Sequence, residues 1–362
     1  MVGPMVVLAP RIPRDWNVSA DWMTDALSAR HPGAVVADVV RVGGSEGTSS
    51  RAVLGVTYSS GSGPATVFAK TKGDPLRRVF QWMTDNAFIE GRLAESGAVL
   101  QVEHPDFYCG VVDRWRLNDM VVMEDVVARG AVLNDATTPL SVDEVASGLR
   151  GLARLHSAHW RFDDTTDPRL AWVTECSAGP TFRFLVRLGC SRGLPRLREH
   201  LPDQVAALGV KGLVEQWRRQ VRTVGSGPWT LLHGDAHVGN TYTLPDGQLG
   251  FYDWGVLRRG HWSFDVGYFI ISALDVADRR DHAADLVEHY RQALELDESE
   301  RPTAEEAWLR FRSSPPYGLA IWITTGSEDQ YQAPEVCVRL AERFGRAFVD
   351  LESSTALTRL GA

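Results

Sequence analysis

One short stretch of the chain carries acidic and amide side chains at spacings suited to phosphoryl chemistry. It reads 231-LLHGDAHVGNTYTLPDGQLGFYDWG-255 and contains Asp235, Asn240 and Asp253. If it folds back on the Asp-Gly pair at 246–247, Asp253 returns close to Asn240, and the two can serve as Mg²⁺ ligands, because Mg²⁺ takes few protein oxygens and completes its shell with phosphate and water. Asp235 is then free to accept a hydroxyl proton as a general base. A base and two metal ligands are the set that phosphoryl transfer requires.

The motif resembles a known superfamily. The spacing His-x-Asp-x-x-x-x-Asn, with Asp-Trp-Gly after it, is similar to the catalytic and metal motifs of protein-kinase-like enzymes. The form 233-HGDAHVGN-240 resembles their small-molecule branch, the aminoglycoside phosphotransferases and the choline and ecdysteroid kinase-like enzymes. The resemblance implies an α+β, bilobal protein-kinase-like fold, with a small antiparallel β lobe carrying one helix and a large, mainly helical lobe. It also implies ATP, with GTP possible, and Mg²⁺ as cofactors.

The same resemblance implies nucleotide-binding residues upstream. The segment 41-RVGGSEGTSSRAVLGV-56 places a glycine-rich turn between two predicted strands, although it is not the Gly-x-Gly-x-x-Gly of protein kinases. Its candidate phosphate-binding residues are Gly44, Ser45, Gly47, Thr48 and Ser49.

A second implied element is the hinge, 121-VVMEDV-126, where an apolar strand runs into Glu-Asp. There the backbone of Met123, Glu124 and Val126 is expected to meet the adenine edge.

Lys70 is the candidate phosphate-binding lysine. It ends the apolar run of 67-VFAK-70, which resembles the strand-lysine motif of kinases, and a buried lysine needs an anionic partner. The following helix offers two carboxylates, and Glu90, beside apolar residues, is favoured over Glu95. Lys72 is expected at the exposed end of the strand.

Three further residues of the large lobe receive roles from the resemblance. His233 is expected to orient the catalytic loop. His237 is a catalytic candidate with two open interpretations, contact with the γ-phosphate or simple packing. Asp265, in 262-WSFDVGYF-269, resembles a family aspartate that braces the catalytic loop, and a plain helix N-cap explains it equally well.

The elements that must position these residues fall into two groups, a predicted N-terminal nucleotide-binding lobe at 1–126 and a helical C-terminal lobe at 127–362. The first should contain strands near 34–42, 52–58, 65–71, 108–116 and 120–126, with a turn at 117–119 and one helix near 75–95. The second should contain a helix that begins with the capping box 141-SVDE-144, and further helices near 203–224, 278–296, 303–312 and 334–352. The stretch 231–255 is expected to be the one strand-like interruption in the second lobe.

Composition narrows the classes of function. The 362 residues are 44% hydrophobic and 23% charged, and the net charge of −8 argues against a nucleic-acid partner. Four dispersed cysteines predict buried thiols rather than a metal or redox site. The apolar runs are too short for a membrane span, and the start of the chain lacks the basic region of a signal peptide, so a cytoplasmic location is expected. The oligomeric state stays open.

The function predicted from these features is ATP-dependent transfer of a phosphoryl group to a hydroxyl of a small molecule. An aminoglycoside-like, choline-like or steroid-alcohol-like acceptor fits equally well. One alternative is a catalytically silent, nucleotide-binding scaffold of the same fold. Another is phosphorylation of a protein side chain, but no Ala-Pro-Glu-like segment follows 253-DWG-255 to anchor a peptide-docking loop.

Overall fold

The computed structural model describes residues 12–46, 49–73 and 75–362. These residues form two compact units. The first consists of the described part of Met1–Ala98 together with Pro105–Arg129, and the second of Val99–His104 with Gly130–Ala362. The division in the chain therefore falls after Arg129, whereas the sequence suggested a boundary after residue 126.

The first unit is a β-sheet with helices. Within the described residues it contains, in chain order, α1 (Ala20–Leu27), β1 (Val35–Glu46), β2 (Ser50–Ser60), β3 (Thr66–Thr71), α2 (Pro75–Met83), α3 (Ile89–Ser96), β4 (Phe107–Asp113) and β5 (Asn118–Glu124). All pairings in the sheet are antiparallel, in the order β1-β2-β3-β5-β4. The short, glycine-rich links predicted this meander of β1 to β3.

Alternate positions of the strands bury one face of this sheet. Leu54 and Ala69 on that face join Met23 and Leu27 of α1 in a core from which solvent is excluded. The spacing of the buried α1 residues, one helical turn apart, is what attaches the helix to the sheet. The residues between them on each strand, Lys70 among them, point to the opposite face.

Three expectations for the first unit were wrong. One helix was predicted, near 75–95, but the described part of the unit contains three, and no element was predicted where α1 lies. The helix predicted near 75–95 is interrupted, because Asp85 and Phe88 adopt left-handed backbone angles (φ 57° and 64°) that end one helix and precede the next. The turn predicted at 117–119 lies earlier, since β5 already begins at Asn118 and Leu117 carries the positive φ of 50°.

The second unit is mainly helical. Its elements are β6 (Val132–Leu133), α4 (Val142–Ala158), α5 (Pro180–Leu197), α6 (Asp203–Ala206), α7 (Gly209–Val224), β7 (Trp229–Leu232), β8 (Thr241–Thr243), β9 (Leu249–Phe251), β10 (Arg258–His261), α8 (Ser263–Ala273), α9 (Val276–Ala293), α10 (Ala304–Arg312), α11 (Pro315–Thr325), α12 (Pro334–Asp350) and α13 (Ser353–Arg359). The predicted capping box opens α4: Glu144 N–H donates to Ser141 Oγ at 3.3 Å, and Ser141 N–H donates to Glu144 Oε2 at 2.9 Å.

Two expectations for the second unit need correction. The helix predicted near 203–224 is two helices, because Gly209, the first residue of α7, takes a left-handed φ of 59°. The stretch 231–255 is not the only strand-like part. β10 lies beyond it and pairs with β7, and β6 pairs with β8. Both added strands are too short to show a period-2 pattern in the sequence.

A short upstream segment belongs to the second unit through specific hydrogen bonds. Phe251 N–H, on β9, donates to the Glu103 carbonyl at 2.9 Å. The Tyr242 hydroxyl, on β8, donates to Glu103 Oε1 at 2.9 Å. These bonds attach Val99–His104 to the hairpin that follows the catalytic-loop candidate. Among the helices of the described ranges, none combines the length and the apolar character needed to cross a bilayer.

Candidate functional site

The glycine-rich segment is more strand-like than the sequence suggested. β1 continues through Gly43 and Gly44 to Glu46 and pairs with β2, so that the turn itself lies further along. Gly44 adopts φ 131°, and a Cβ there would lie 2.2 Å from the Arg51 carbonyl oxygen, so only glycine is tolerated. Ser45 is exposed and lies opposite Arg51 on β2.

The remaining candidates of this segment divide into two cases. Ser49 is 7% exposed and directly precedes β2. Gly47 and Thr48 lie outside the described residues, so their predicted phosphate contacts stay predictions.

Lys70 and Glu90 form a close ion pair in the first unit. Lys70 lies on β3 between β2 and β5, and its Nζ is 2.8 Å from Glu90 Oε2. The Lys70 side chain is 12% exposed and the Glu90 side chain 6%. Glu90 lies in the first turn of α3, where the helix dipole also favours a carboxylate. Of the two carboxylates the sequence offered, the structure pairs Glu90 with the lysine.

Glu95 has a different task. Its Oε1 accepts the Val112 N–H at 3.1 Å, which attaches the end of α3 to β4. Burial raises the pKa of Glu95 above its ordinary value, and the Val112 N–H opposes that rise.

Lys72, expected at an exposed strand end, is instead held inside the unit. Its Nζ lies 3.4 Å from Asp119 Oδ1 and donates to the Asn86 carbonyl at 3.2 Å, and 12% of its side chain is exposed. The expectation was wrong because the chain turns after β3 toward two acceptors that lie far away in sequence.

The hinge candidates lie at the end of β5 and just after it. Met123 and Val126 are buried. The Glu124 N–H donates to the Asp106 carbonyl at 2.8 Å, and its Oε2 accepts from Arg129 Nη1 at 3.0 Å. The amide of Glu124 is therefore already engaged, whereas within the described residues no hydrogen bond reaches the Val126 N–H. Of the three candidates, Val126 has a backbone donor left for a ligand.

The loop that carries Asp235 is fixed from beneath by one buried carboxylate. Asp265 Oδ2 accepts the His233 N–H at 2.7 Å, and Oδ1 accepts the Gly234 N–H at 3.1 Å. Asp265 is fully buried in the first turn of α8. It is not the N-cap of that helix, a position that Trp262 occupies. Of the two interpretations left open for Asp265, the brace is the one that the hydrogen bonds support.

Two other residues complete this loop. Gly234 adopts φ 83°, and a Cβ there would lie 2.1 Å from the Val256 carbonyl oxygen, so a side chain would displace the loop. His233 is fully buried, and its Nε2 lies 3.0 Å from the Tyr252 carbonyl oxygen while its Nδ1 accepts the Asp235 N–H at 3.2 Å. His233 thus holds the loop, in line with the orienting role expected of it.

Asp235 and Asn240 are joined directly. Asn240 Nδ2 donates to the Asp235 carbonyl at 2.9 Å and to Asp235 Oδ2 at 3.1 Å. The Asp235 side chain remains 37% exposed, so its carboxylate can still meet a ligand. Because the side-chain nitrogen Nδ2 donates to Asp235, the side-chain oxygen Oδ1 of Asn240 points away from Asp235 and, among the described residues, accepts no hydrogen bond.

The predicted hairpin is present and returns Asp253 to Asn240. β8 and β9 pair antiparallel, with Thr241 opposite Phe251, and the Tyr252 N–H donates to the Asn240 carbonyl at 3.0 Å. Gly247, in the predicted Asp-Gly turn, has φ 83°. Asp253 is the residue after Tyr252 and has φ 64°. This left-handed conformation is costly for a residue with a side chain and is typical of functional sites.

Asn240 and Asp253 fit Mg²⁺ in the form that this ion prefers. One supplies an uncommitted amide oxygen and the other a carboxylate, and Gly255 leaves room beside Asp253, since a Cβ there would lie 3.3 Å from Oδ1. Within the described ranges, no group of three or more His, Cys, Asp and Glu residues could hold a metal on its own. A site with two protein ligands requires phosphate oxygens and water to complete the shell.

His237 packs closely and also faces Asp235. Its Nδ1 accepts the Gly239 N–H at 3.0 Å, so in the neutral ring the proton lies on Nε2, which is 3.8 Å from Asp235 Oδ2. Burial lowers the pKa of His237 below its ordinary value, and the Asp235 charge opposes that fall. The ring lies edge-on to Trp322, with centroids 5.1 Å apart, and to Tyr268, at 6.0 Å.

Tyr268 is a residue that the sequence reasoning missed. Its buried hydroxyl lies beside Asp235 and the Trp322 indole, and in the part of the chain that the structure describes neither the hydroxyl nor Trp322 Nε1 makes a well-aligned hydrogen bond. Burial raises the pKa of the Tyr268 phenol well above its ordinary value, and the Asp235 charge adds to the rise. The available signal was position, because Tyr268 follows Asp265 by three residues and so lies one turn further along α8.

The family of the chain follows from its sequence. The model of the phosphotransferase enzyme family (APH) matches residues 116–311, more than half of the 362 residues. The chain therefore belongs to the phosphotransferase enzyme family. No curated protein matches the chain at a significant level.

Solved structures with the same fold include several small-molecule kinases. Spectinomycin phosphotransferase APH(9)-Ia, in complex with ADP and spectinomycin, is 13% identical, with 93% of this chain and 99% of that chain covered and a TM-score of 0.51. A putative aminoglycoside phosphotransferase from Ralstonia eutropha JMP134 is 14% identical, with 92% and 97% covered and a TM-score of 0.52. The microcompartment-associated aminopropanol kinase is 14% identical, with 93% and 99% covered and a TM-score of 0.51.

These comparisons confirm two predictions. The fold is the α+β, bilobal protein-kinase-like fold, and the family lies in its small-molecule branch. The protein is a small-molecule kinase, that is, a phosphotransferase.

Proposed function

We propose that the protein transfers the γ-phosphoryl group of ATP, or of GTP, to a hydroxyl group of a small molecule, with Mg²⁺ bound together with the nucleotide. The observation that carries the proposal is the arrangement of one loop and its hairpin. Asp235 is held by Asn240 yet keeps 37% of its side chain exposed, and the chain returns with Asp253 next to the Asn240 backbone. In this proposal Asp235 accepts the hydroxyl proton, while Asn240 and Asp253 hold Mg²⁺.

The first unit supplies the nucleotide contacts in this proposal. Lys70 binds the α- and β-phosphates, and Glu90, 2.8 Å from the Lys70 ammonium, keeps that side chain in position to do so. The backbone at Gly44, Ser45 and the turn that follows approaches the phosphates. The Val126 N–H, free of a hydrogen bond within the described residues, donates to the adenine edge.

Phosphoryl transfer of this kind does not require the protein to form a covalent intermediate. Mg²⁺ supplies charge neutralisation on the phosphates, and phosphoryl transfer otherwise depends on position and electrostatics. The His237 Nε2–H points toward Asp235 Oδ2, 3.8 Å away, and so favours one orientation of the carboxylate. A base that is hydrogen-bonded on one oxygen retains the other for the hydroxyl of the acceptor.

A screen for the acceptor tests this proposal. Purified protein, Mg²⁺ and either ATP or GTP are incubated with a mixture of aminoglycosides, amino alcohols including choline, and steroid alcohols, and mass spectrometry follows the gain of one phosphoryl group. We expect at least one acceptor to be modified by the wild type and not by Asp235→Asn. Nucleotide binding in calorimetry without any modified acceptor, across the whole mixture, would instead favour the silent scaffold.

A further inference from the structure

The first unit contains a polar cavity that Lys70 does not line. Its volume is about 990 Å³, large enough for a nucleotide-sized molecule. Part of its lining comes from the segment Ile12–Trp16, which precedes α1, and part from the end of the sheet at Ser50, Thr71 and Asn118.

The strand register places this cavity on the face of the sheet opposite Lys70. Ser50, Thr71 and Asn118 are each two residues from core positions that pack against α1, namely Ala52, Ala69 and Met120. Side chains two residues apart on a strand share a face. Lys70, one residue from Thr71, therefore points to the other face, and a ligand in the cavity would not compete for it.

The floor of the cavity is polar where the rest of this face is apolar. Ser50 and Asn118 are 7% and 6% exposed, and Trp16 Nε1 donates to Ser50 Oγ at 3.1 Å. Thr71 Oγ1 donates to the Asp119 carbonyl at 2.8 Å and lies 3.3 Å from Asn118 Oδ1. Polar groups on three neighbouring strands of one buried face are costly unless they have partners, and these hydrogen bonds supply partners and leave a polar surface at this end of the sheet.

The lining is also cationic in a chain whose net charge is −8. Among the described residues that line the cavity, five are basic and two acidic: Arg14, Arg41, Lys72, Arg78 and Arg116, with Asp15 and Asp113. Several of these basic residues have partners in the first unit. Arg116 pairs with Asp113 at 2.7 Å and Lys72 with Asp119 at 3.4 Å. Arg78 donates to the Lys72 and Gly73 carbonyls, each at 2.9 Å, and Arg41 donates to the Gly43 carbonyl at 3.2 Å. The Arg14 side chain, in contrast, makes no hydrogen bond or ion pair within the described residues.

The backbone at the rim is strained. Asp15 and Trp16 are consecutive residues with side chains, and both adopt left-handed φ angles, 50° and 61°. Such a conformation is costly for a residue with a side chain and persists only where the surroundings impose it, which is common at ligand clamps. The strain brings Trp16 onto Ser50 and leaves Arg14 and Asp15 beside the cavity.

We propose that this cavity, lined by Arg14, Arg41, Arg78 and Arg116 on the face opposite Lys70, is a second binding site for a small phosphate-bearing anion. Arginine favours phosphate because its planar guanidinium donates two parallel hydrogen bonds to it. The site stands independently of the proposed transfer reaction, because it shares neither Lys70 nor any residue of the second unit.

Calorimetry with inorganic pyrophosphate, on the full chain without divalent metal and without nucleotide, tests the site. We expect saturable binding by the wild type. Arg14→Gln and Arg116→Gln, both at exposed side chains, should each weaken it by about tenfold through loss of a charge-assisted contact. Asp15→Asn should tighten binding, since it removes a negative charge and asparagine tolerates the left-handed backbone.

Two further variants decide where the anion binds. Lys70→Met should retain saturable binding of pyrophosphate in the cavity, and Arg14→Gln added to Lys70→Met should still weaken that binding about tenfold, because Lys70 lies on the other face. Arg30→Gln, which removes the same charge from an exposed arginine of the first unit outside the cavity, should also have no effect. The proposal is overturned if the wild type shows no saturable binding, if Lys70→Met abolishes binding while Arg14→Gln does not, or if Arg30→Gln weakens it as much as Arg14→Gln.

Discussion

The ion pair between Lys70 and Glu90 allows a quantitative prediction. Its atoms are 2.8 Å apart, and the two side chains are 12% and 6% exposed. Removal of one partner from a buried pair costs roughly 3–5 kcal/mol of unfolding free energy, because the other charge is left in a poorly solvated place. The remaining exposure of Lys70 gives its ammonium some access to water, so we expect Glu90→Gln to cost about 3 kcal/mol, at the lower end.

Lys70→Met should cost a similar amount, and the double variant should cost far less than the sum. With both charges gone, no buried charge is left unpaired, so a coupling free energy of about 2 kcal/mol is expected. Urea unfolding of the four proteins, followed by circular dichroism and tryptophan fluorescence, measures the cycle. The same cycle with Glu95→Gln is the control, since Glu95 contacts the Val112 N–H and not the lysine.

Two results would refute this reasoning. The first is additive losses for Lys70→Met and Glu90→Gln, to within about 0.5 kcal/mol, which is the behaviour of independent sites. The second is a coupling free energy between Lys70 and Glu95 as large as that between Lys70 and Glu90.

Three further predictions concern the second unit. Asp253→Ala should abolish Mg²⁺-dependent binding of ATP, because Mg²⁺ has few protein ligands here; unchanged Mg·ATP affinity in calorimetry would contradict the metal site. Asp265→Asn should lower the unfolding free energy by about 1.5–3 kcal/mol, since it removes a charged acceptor from two backbone N–H groups. Hydrogen exchange at the Gly234 amide should also become faster, and an unchanged exchange rate would contradict the role of Asp265 in bracing the loop. Burial lowers the pKa of His237, so the folded protein binds fewer protons than the unfolded chain as pH falls through about 6.5. The stability that this residue contributes is therefore present above that pH and is lost below it. His237→Asn should reduce the loss of stability between neutral and mildly acidic pH in urea titrations, and an identical pH profile would refute the assignment.

Much of the candidate site was predictable because its residues are close in sequence. Asp235, Asn240 and Asp253 fall within one loop and hairpin, so local turn chemistry at the Asp-Gly pair already determines their approach. The capping box at Ser141 and Glu144 was found for the same reason. Lys70 required only the observation that a lysine ending an apolar strand needs an anionic partner.

The features that the sequence did not predict depend on distant contacts. Lys72 was placed in solvent because Asp119, its partner, is far along the chain and meets it only across the sheet. The break between α2 and α3 arises at Asp85 and Phe88, and neither residue type by itself predicts a left-handed backbone conformation at these positions. The position of the Tyr268 hydroxyl beside Asp235 depends on the packing of α8 against His237, which the sequence does not show.

The general-base role of Asp235 is tested most directly by kinetics with whichever acceptor the screen identifies. Asp235→Asn is compared with wild type for kcat and for Mg·ATP affinity, and Asp246→Asn, an exposed aspartate in the turn of the same hairpin, serves as the matched control. We predict a fall in kcat of about 10²–10⁴-fold for Asp235→Asn with nucleotide affinity unchanged, and no change for Asp246→Asn. A loss of only a few-fold in kcat for Asp235→Asn would contradict the account.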